Sequence, residues 1–402
     1  MPVINRVAEW QDELAGWRHH LHQNPELGFQ EVETARFVAE RLRGFGVDEV
    51  HTGIARTGVV AVVRGSGGGG GERAIALRAD MDALPIREES GAPWASKAEG
   101  RMHACGHDGH TAMLLGAARY LAETRNFAGT VYLVFQPAEE GAGGGRVMVE
   151  EGLFDRFPAQ QVFGLHNWPW LPTGTFAMCP GPCMAAADQF EIEILGQGCH
   201  AAFPHTGRDP IAAAASLVLA LQTIVSRQVD PVDNAVLSVT KIAGGDSYNV
   251  VPERVALVGT VRTFKPETQA FIERRMGEVA QGIAAAHGLE ASLRYRRGYP
   301  ATVNSELEAT LAADAAAEIV GEGRVVRNPP PAMGAEDFSF MLQRLPGSYI
   351  WMGTGRGGAE PDAPLHNPRY DFNDEALGLG VTYWARLVER MLPRRGTDGV
   401  AA

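Results

Sequence analysis

Hydrophobic and polar positions along the chain repeat with the period of a helix in some segments and with the period of a strand in others. Residues 8–43 favour helix apart from one break at residues 24–29, NPELGF, so this region predicts two helices joined by a turn. The β-branched runs at residues 58–65 and 74–80 predict strands, and the flexible glycine-rich segment 66–72 between them predicts a hairpin-like pair.

The next part of the chain alternates between helix and strand. A helical pattern at residues 110–124 is followed by an apolar run at 130–136, and a further run at 162–167 follows another short helical segment. Because such alternation places helices on the faces of a sheet, it predicts an α/β fold whose sheet is mixed and largely parallel.

A different pattern begins near Asp188. Strict alternation at residues 190–195, FEIEIL, starts a series of segments in the order β-α-β-β-α-β, which is typical of ferredoxin-like modules. About 110 residues suit one independent domain. We therefore expect an insert at residues 186–297 within a first domain that is formed by residues 1–185 and 298–402.

Length and composition exclude several classes of protein. A chain of 402 residues, of which 45% are hydrophobic and 21% charged, can bury a large core. A formal net charge of -12 without a long basic stripe argues against nucleic-acid binding and against an anionic membrane surface. No unbroken apolar run approaches the roughly 20 residues of a membrane span, and the polar start does not resemble a targeting segment. We therefore expect a cytoplasmic protein without a membrane partner.

The densest group of chemically active side chains is MHACGHDGH at residues 102–110, which packing alone explains poorly. Cys105 and His107 stand two positions apart just ahead of a predicted helix, a spacing that suits two metal ligands from one loop. Since the N-terminus of a helix favours negative charge, we expect Cys105 as the thiolate that binds metal. His110 begins the helix and suits an orienting or capping role better than ligation.

Other candidates follow predicted strands, where the sheet of an α/β protein places its site. Glu139 and Glu140, in FQPAEEG, are adjacent carboxylates, and a metal hydrolase would use one as a ligand and the other as general base. His166 and His366 each end an apolar run. Taken singly, the glutamates could form a solvated acidic turn and the histidines could be core residues. Two aspartates after another strand suit the orientation of a metal-bound histidine: Asp80 and Asp82.

The predicted insert carries a second group of polar candidates. His200 and His205 occur in GCHAAFPHTGRDP, and Asn249 occurs in SYNVVPE. Arg262, in GTVRTF, is either a bare charge at the edge of a sheet or a clamp for a carboxylate.

Nine ordered motifs resemble the peptidase M20 amidohydrolases, in particular the branch of hippurate hydrolases and N-acyl-amino-acid amidohydrolases: RADMDALP, HACGHDGHTA, FQPAEEG, LHNWP, GCHAAFPHTGRDP, NVVPE, GTVRTF, MGAEDFS and LHNPRYDFND. The resemblance runs from HLHQNPELGF to Asp374, nearly the whole chain. It implies a two-metal catalytic domain interrupted by a lid or dimerisation domain, and a homodimer or homotetramer. The implied substrates are small N-acyl amino acids, which are hydrolysed to a carboxylic acid and a free amino acid.

Position by position, the resemblance also implies roles for single residues. Glu139 would be the general base, and His200, of this subunit or its partner, would stabilise the developing negative charge. Asn249 and Arg262 would hold the carboxylate of the amino acid. Five side chains would be the metal ligands, with the cysteine able to bridge two ions: Cys105, His107, Glu140, His166 and His366.

The donor set limits the choice of metal. Two divalent ions per subunit, zinc or manganese, suit thiolate, imidazole and carboxylate together, and nickel and cobalt stay open. Where other branches of the family have a ligand histidine and a bridging aspartate, this sequence has Asp80 and Cys105.

Three alternatives stay open at the level of the sequence. A metallo-carboxypeptidase or dipeptidase of the same family would act on peptides with the same residues. A cysteine hydrolase would use Cys105 as its nucleophile and His107 or His110 as the base, which leaves Glu139 and Glu140 without an obvious task. A non-catalytic binding protein would hold the metal as a structural ion only.

Overall fold

The computed structural model of the chain describes residues 3–67, 73–358 and 362–394. The α-helices in these residues are α1 (Asn5–Ala8), α2 (Gln11–Gln23), α3 (Val32–Gly44), α4 (His107–Thr124), α5 (Gly144–Glu150), α6 (Leu153–Arg156), α7 (Pro210–Gln228), α8 (Pro266–Ala286), α9 (Glu306–Val320), α10 (Ser339–Leu342) and α11 (Leu377–Met391). The strands are β1 (Glu49–Ile54), β2 (Gly58–Arg64), β3 (Ala74–Asp80), β4 (Thr130–Gln136), β5 (Gln161–Pro172), β6 (Phe176–Met178), β7 (Gly181–Met184), β8 (Ala186–Leu195), β9 (Cys199–His200), β10 (Ala235–Ala243), β11 (Val250–Val251), β12 (Arg254–Thr263), β13 (Glu290–Tyr299), β14 (Thr302–Asn304), β15 (Val325–Arg327) and β16 (Gly347–Gly355).

The described residues divide into two compact units. The second unit consists of Met184–Thr302 and Pro331–Glu336, and the first unit contains the rest. An eight-stranded sheet in the order β1-β2-β4-β3-β5-β16-β6-β15 forms the centre of the first unit. Its four pairs β4-β3, β3-β5, β5-β16 and β6-β15 are parallel, and the other three are antiparallel. The predicted α/β fold with a mixed, largely parallel sheet is therefore confirmed.

The predicted hairpin-like pair of β2 and β3 is wrong. Strand β4 lies between them: Val60 of β2 is opposite Val134 in an antiparallel pair, and Leu77 of β3 is opposite Leu133 in a parallel pair. Strand β4 is largely buried, which suits a central position in the sheet with one strand paired to each of its edges. The local sequence of β2 and β3 does not report a strand inserted from later in the chain. Residues 68–72 of the glycine-rich connection lie outside the described residues.

Helix α4, whose first residue is His107, is held against α11 by close contacts at two glycines. A Cβ atom at Gly116 would lie 2.5 Å from a methyl group of Val381, and one at Gly380 would lie 2.0 Å from the sulfur of Met113. Larger residues would push the helices apart. The glycines therefore fix the helix that presents part of the predicted site.

The second unit has the predicted β-α-β-β-α-β order. Its four-stranded antiparallel sheet has the order β10-β12-β8-β13, as in ferredoxin-like modules, and α7 and α8 share its core. By length and composition alone, α7 could cross a membrane, but one such helix is weak evidence because core helices pass the same test. A role as lid or dimerisation domain stays a prediction.

A buried ionic network joins α2 to the first turn of α4. Nδ1 of His22 lies 2.8 Å from Oδ2 of Asp108, and its Nε2 lies 3.2 Å from Oε1 of Glu88. The guanidinium of Arg18 is 3.7 Å from the same oxygen of Asp108, and both side chains are fully buried. Since Asp108 follows His107, this network also fixes the start of α4 beside the predicted site.

The network predicts a pH-dependent contribution to stability. Burial alone would lower the pKa of His22, but Asp108 and Glu88 outweigh it and raise the pKa from 6.5 to about 9. The raised pKa favours the folded state fully below pH 6.5, and this contribution is lost as the pH rises through about 9. It is worth about 3 kcal/mol at most. We expect the melting temperature to fall between pH 6.5 and 9, and His22→Gln to lower it at pH 6 and flatten this dependence.

The matched control is His287→Gln, which removes an exposed histidine of the second unit. This variant should keep the wild-type dependence of melting temperature on pH. An undiminished slope in His22→Gln would show that other groups cause it.

Candidate metal centre

Donor atoms of all five predicted metal ligands meet in the first unit. Nε2 of His366 lies 3.2 Å from Oε1 of Glu140, and Nε2 of His107 lies 4.0 Å from the same oxygen. Sγ of Cys105 is 3.4 Å from Nε2 of His166. The donor atoms of Cys105, Glu140 and His366 all lie within 4.8 Å of one another. Segments far apart in sequence therefore place one sulfur, one carboxylate and three imidazoles in one cluster.

Cys105 and His366 lie in loops whose backbone conformation is demanding. Gly106, between Cys105 and α4, has φ 88°, and a Cβ atom there would lie 2.5 Å from Oδ1 of Asn167 and 2.9 Å from the hydroxyl of Tyr370. Only glycine fits this position. His366 has φ 65°, which is uncommon for a residue with a side chain, and its N–H donates to the carbonyl of Ala104 at 2.8 Å. The two loops are thus tied together at the cluster.

The glutamates follow β4 in a turn that hydrogen bonds hold in place. Ala138 has φ 55°, and its N–H donates to the buried carboxylate of Glu31 at 2.8 Å. The N–H of Glu140 donates to Oδ2 of Asp82 at 2.9 Å. The strained residue before Glu139 turns the chain after the strand so that both carboxylates reach the cluster.

Two histidines of the cluster have one ring nitrogen fixed by a backbone carbonyl. Nδ1 of His107 donates to the carbonyl of Asp82 at 2.9 Å, and Nδ1 of His166 donates to that of Asn167 at 2.7 Å. With Nδ1 engaged in this way, Nε2 is the ring nitrogen of each histidine that is left to bind a metal. Among its neighbours in the described residues, buried Nε2 of His107 has no hydrogen-bond partner. Metal ions held by the cluster would give this nitrogen a partner, so the residues present fit a metal.

His110 lies beside the cluster but both of its nitrogens are engaged by the protein. Its Nδ1 is 2.6 Å from Oδ1 of Asp80, and its Nε2 is 2.6 Å from Oδ1 of Asn167, whose amide donates to the hydroxyl of Tyr370 at 2.6 Å. Of the two aspartates predicted to orient a ligand histidine, Asp82 contacts His107, and Asp80 contacts His110 and also lies 3.7 Å from Nε2 of His107. His110 therefore suits the support of neighbouring residues better than ligation.

Burial and surrounding charge set the protonation of the cluster. Burial raises the pKa of the Cys105 thiol well above its ordinary value, and Glu140 and Glu139 raise it further. In the protein alone, burial and these carboxylates therefore oppose the thiolate form of Cys105. A bound cation would supply the charge that a thiolate requires. Burial lowers the pKa of His166. Burial also opposes the charged form of His107, but Asp80, Asp82 and Glu140 together outweigh it and raise the pKa of His107 to about 10.

A buried arginine that sequence reasoning missed supports the acidic side of the cluster. Arg78 of β3 is fully buried and donates to Oδ2 of Asp80 at 2.8 Å, to Oε1 of Gln136 at 2.8 Å and to Oδ1 of Asp337 at 3.1 Å. The N–H of Asp337 in turn donates to Oε1 of Glu139 at 3.3 Å. The sequence signal for this role was a single arginine in the apolar strand AIALRAD, because a charge buried in a sheet needs partners of opposite charge.

The predicted substrate-binding residues lie in the second unit. His200 of β9 is exposed and opposite Val250 of β11, and the carbonyl of Asn249 accepts a hydrogen bond from Ala201 at 2.9 Å, so His200 and Asn249 are neighbours. Arg262 is half-buried on β12, and it donates to the carbonyl of Val261 at 3.1 Å. Since β12 has a strand on each side, the alternative of an edge charge is wrong.

Arg262 and Asn249 lie at opposite ends of β12. Asn249 precedes the first residue of this strand, Arg254, by five positions, whereas Arg262 is next to its last residue, Thr263. At about 3.3 Å per residue, Arg254 and Arg262 are roughly 26 Å apart. The length of β12 therefore separates Arg262 from the end of the strand that follows Asn249.

Comparison with known proteins identifies the family of this chain. The family model described as Peptidase family M20/M25/M40 matches residues 76–390. The hippurate hydrolase of Campylobacter jejuni is 41% identical over 392 residues, covering 98% of this chain and 100% of the relative. The N-acetyl-L-cysteine deacetylase of Bacillus subtilis is 44% identical over 387 residues, covering 96% of this chain and 90% of the relative.

A solved structure agrees with the fold over almost the whole chain. The YXEP protein of Bacillus subtilis, described as a dinuclear metal-binding peptidase from the M20 family, has a TM-score of 0.83 and 37% sequence identity, with 96% of this chain and 100% of that chain covered. The chain therefore belongs to peptidase family M20/M25/M40, and it is a hydrolase of that family.

Proposed function

We propose that the protein is a metal-dependent amidohydrolase that cleaves N-acyl amino acids to a carboxylic acid and a free amino acid. The observation that carries this proposal is the convergence of the five donor side chains beside a sixth group, the buried carboxylate of Glu139. The names of the two relatives support the substrate class, since hippurate and N-acetylcysteine are both N-acyl amino acids.

The site would hold two divalent ions, and zinc, manganese, nickel and cobalt are compatible with its donors. We assign Glu140 and His366 to one ion and His107 and His166 to the other, with Cys105 shared, because Cys105 contacts members of both groups. When bound, such ions lower the pKa of water and polarise the amide carbonyl. The dinuclear site named for the YXEP protein supports two ions rather than one.

Glu139 is the proposed general base. It is 7% exposed, and its donor atom lies within 4.8 Å of those of His107 and Glu140. A carboxylate at this position takes a proton from the attacking water and returns it to the leaving amine. The hydrogen bond from the backbone of Asp337 holds Glu139 in position for both transfers.

Arg262 and Asn249 would bind the carboxylate of the substrate, and His200 would stabilise the negative charge that develops on the amide oxygen. Because Arg262 is at the opposite end of β12 from the other two, we propose that they come from two chains of a homodimer, alone or within a homotetramer. Exposed apolar residues of α7 support an interface in the second unit, among them Leu219, which is 73% exposed.

The alternative of a cysteine nucleophile has less support. A nucleophilic cysteine needs a lowered pKa or a base that takes its proton, whereas burial raises the pKa of Cys105. The nearest ring nitrogen, Nε2 of His166, belongs to a histidine whose pKa is lowered by burial, which makes it a poor proton acceptor. The same properties suit two metal ligands.

Removal of metal gives the first test. Dialysis against a strong chelator should abolish hydrolysis of N-acyl amino acids, because the water and the carbonyl would lose their activating charge. Addition of one divalent ion at a time should restore activity and identify the preferred metal, with the metal content per chain measured in parallel. Undiminished turnover in protein shown to be free of metal would refute the proposal.

Adjacent glutamates allow a matched pair of substitutions. Glu139→Gln should lower kcat by about 10²- to 10⁴-fold with metal content unchanged, because it removes the proton carrier only. Glu140→Gln should instead lower the metal content, because it removes a ligand. Elemental analysis and steady-state kinetics of both variants separate the roles, and wild-type turnover in fully loaded Glu139→Gln would exclude it as the base.

A mixing experiment tests the two-chain arrangement. His200→Ala and Arg262→Ala should each be nearly inactive alone. After co-expression, or unfolding and refolding together, half of the dimers are heterodimers with one intact site, so activity should recover to about a quarter of wild type. If both residues served from the same chain, mixing would restore nothing. Sedimentation analysis of the same samples checks that dimers form.

A further inference from the structure

Strand β5 carries a proposed metal ligand followed closely by two tryptophans. His166 and Trp168 are two positions apart and point to the same side of the strand, and Trp170 follows where the pairing of β5 with β16 shifts register, between Trp168 and Pro172. The ring centroids of His166 and Trp168 are 6.4 Å apart, and those of Trp168 and Trp170 are 4.9 Å apart. An aromatic surface therefore begins beside the cluster of donor side chains and continues along the end of the strand. We call Trp168 and Trp170 the tryptophan platform.

The platform rests on a rigid support. Trp351 of β16, which is 4% exposed and lies opposite His166 in the sheet, stacks on Trp168 with centroids 4.4 Å apart and an interplanar angle of 14°. The same buried strand thus orders a metal ligand and the first ring of the platform. Little conformational freedom is left for Trp168 to lose when a ligand binds.

Trp170 has no comparable role in packing. It is 58% exposed and meets Trp168 edge-on, at an interplanar angle of 61°. A large indole left in water beside a site has a surface that a planar apolar group can cover. Since the fold does not bury this side chain, its exposed face is available to a substrate.

The geometry points to the acyl side of the substrate as the group that covers this face, an inference that rests on the proposed function. The amino-acid side ends in a carboxylate, for which the proposed partners are Arg262 and Asn249. The acyl side follows the carbonyl directly and is the apolar end. A benzoyl or other arylacyl ring would contact the platform, whereas an acetyl group is too short to do so. Trp168 and Trp170 thus determine a preference for N-arylacyl amino acids.

Three substrates and two variants test this inference. N-benzoylglycine, N-acetylglycine and N-acetylphenylalanine place an aromatic ring on the acyl side, on neither side and on the amine side. Trp170→Ala should lower kcat/KM for N-benzoylglycine about tenfold and change the other two values less than twofold. Trp170→Phe, which keeps a ring, should restore most of the loss. Because Trp170 is exposed, both variants should fold, which melting temperatures check.

Each contrary result has a distinct meaning. An equal loss for all three substrates would make the platform structural, and a loss confined to N-acetylphenylalanine would place the platform on the amine side; either result overturns the inference. If the wild-type enzyme hydrolyses none of the three substrates, the proposed function fails, and a binding measurement then tests the role of the platform. Benzoate, followed by tryptophan fluorescence, should bind wild type at least tenfold more tightly than Trp170→Ala, and equal binding overturns the inference.

Discussion

Negative charge buried at one place is the constraint on which the site depends. Asp80, Glu139 and Glu140 surround a buried thiol and raise its pKa, and such a cluster is stable only with positive charge among its members. Arg78 supplies one permanent cation from within the sheet. The raised pKa of His107 reflects a demand for further positive charge, which metal ions would meet more fully than a proton. The acidity of the cluster and its capacity for metal thus have one cause.

The sequence predicted the chemistry of the site better than its geometry. The types and order of the donors follow from local motifs, and so do the helices and strands of both units, because each has a clear period. Local patterns could not reveal that β4 separates β2 from β3, since that depends on a segment more than fifty residues away. Neither could they show that burial and the charges of Glu140 and Glu139 together raise the pKa of Cys105.

The second unit shows how topology limits what one chain can do. In its sheet a single long strand runs from the neighbourhood of Asn249 to Arg262, so two groups that suit one substrate are separated by the length of the strand. A two-fold axis across such a strand places the end of one copy near the beginning of the other. Self-association would therefore bring together groups that folding alone keeps apart. The dimer would then be part of the catalytic apparatus rather than an aid to stability.

An acidic enzyme can bind an anionic substrate if the charges close to the site, rather than the net charge, determine the affinity. Charges at the surface are screened over about 8 Å in physiological salt, so most of the net charge of -12 has little effect at the site. A half-buried guanidinium such as that of Arg262 is screened much less. The apolar end of the substrate likewise depends on short-range contacts, because the two indoles beside His166 act only on groups that touch them. A substrate with a carboxylate at one end and a ring at the other would offer a suitable partner to each of these short-range contacts.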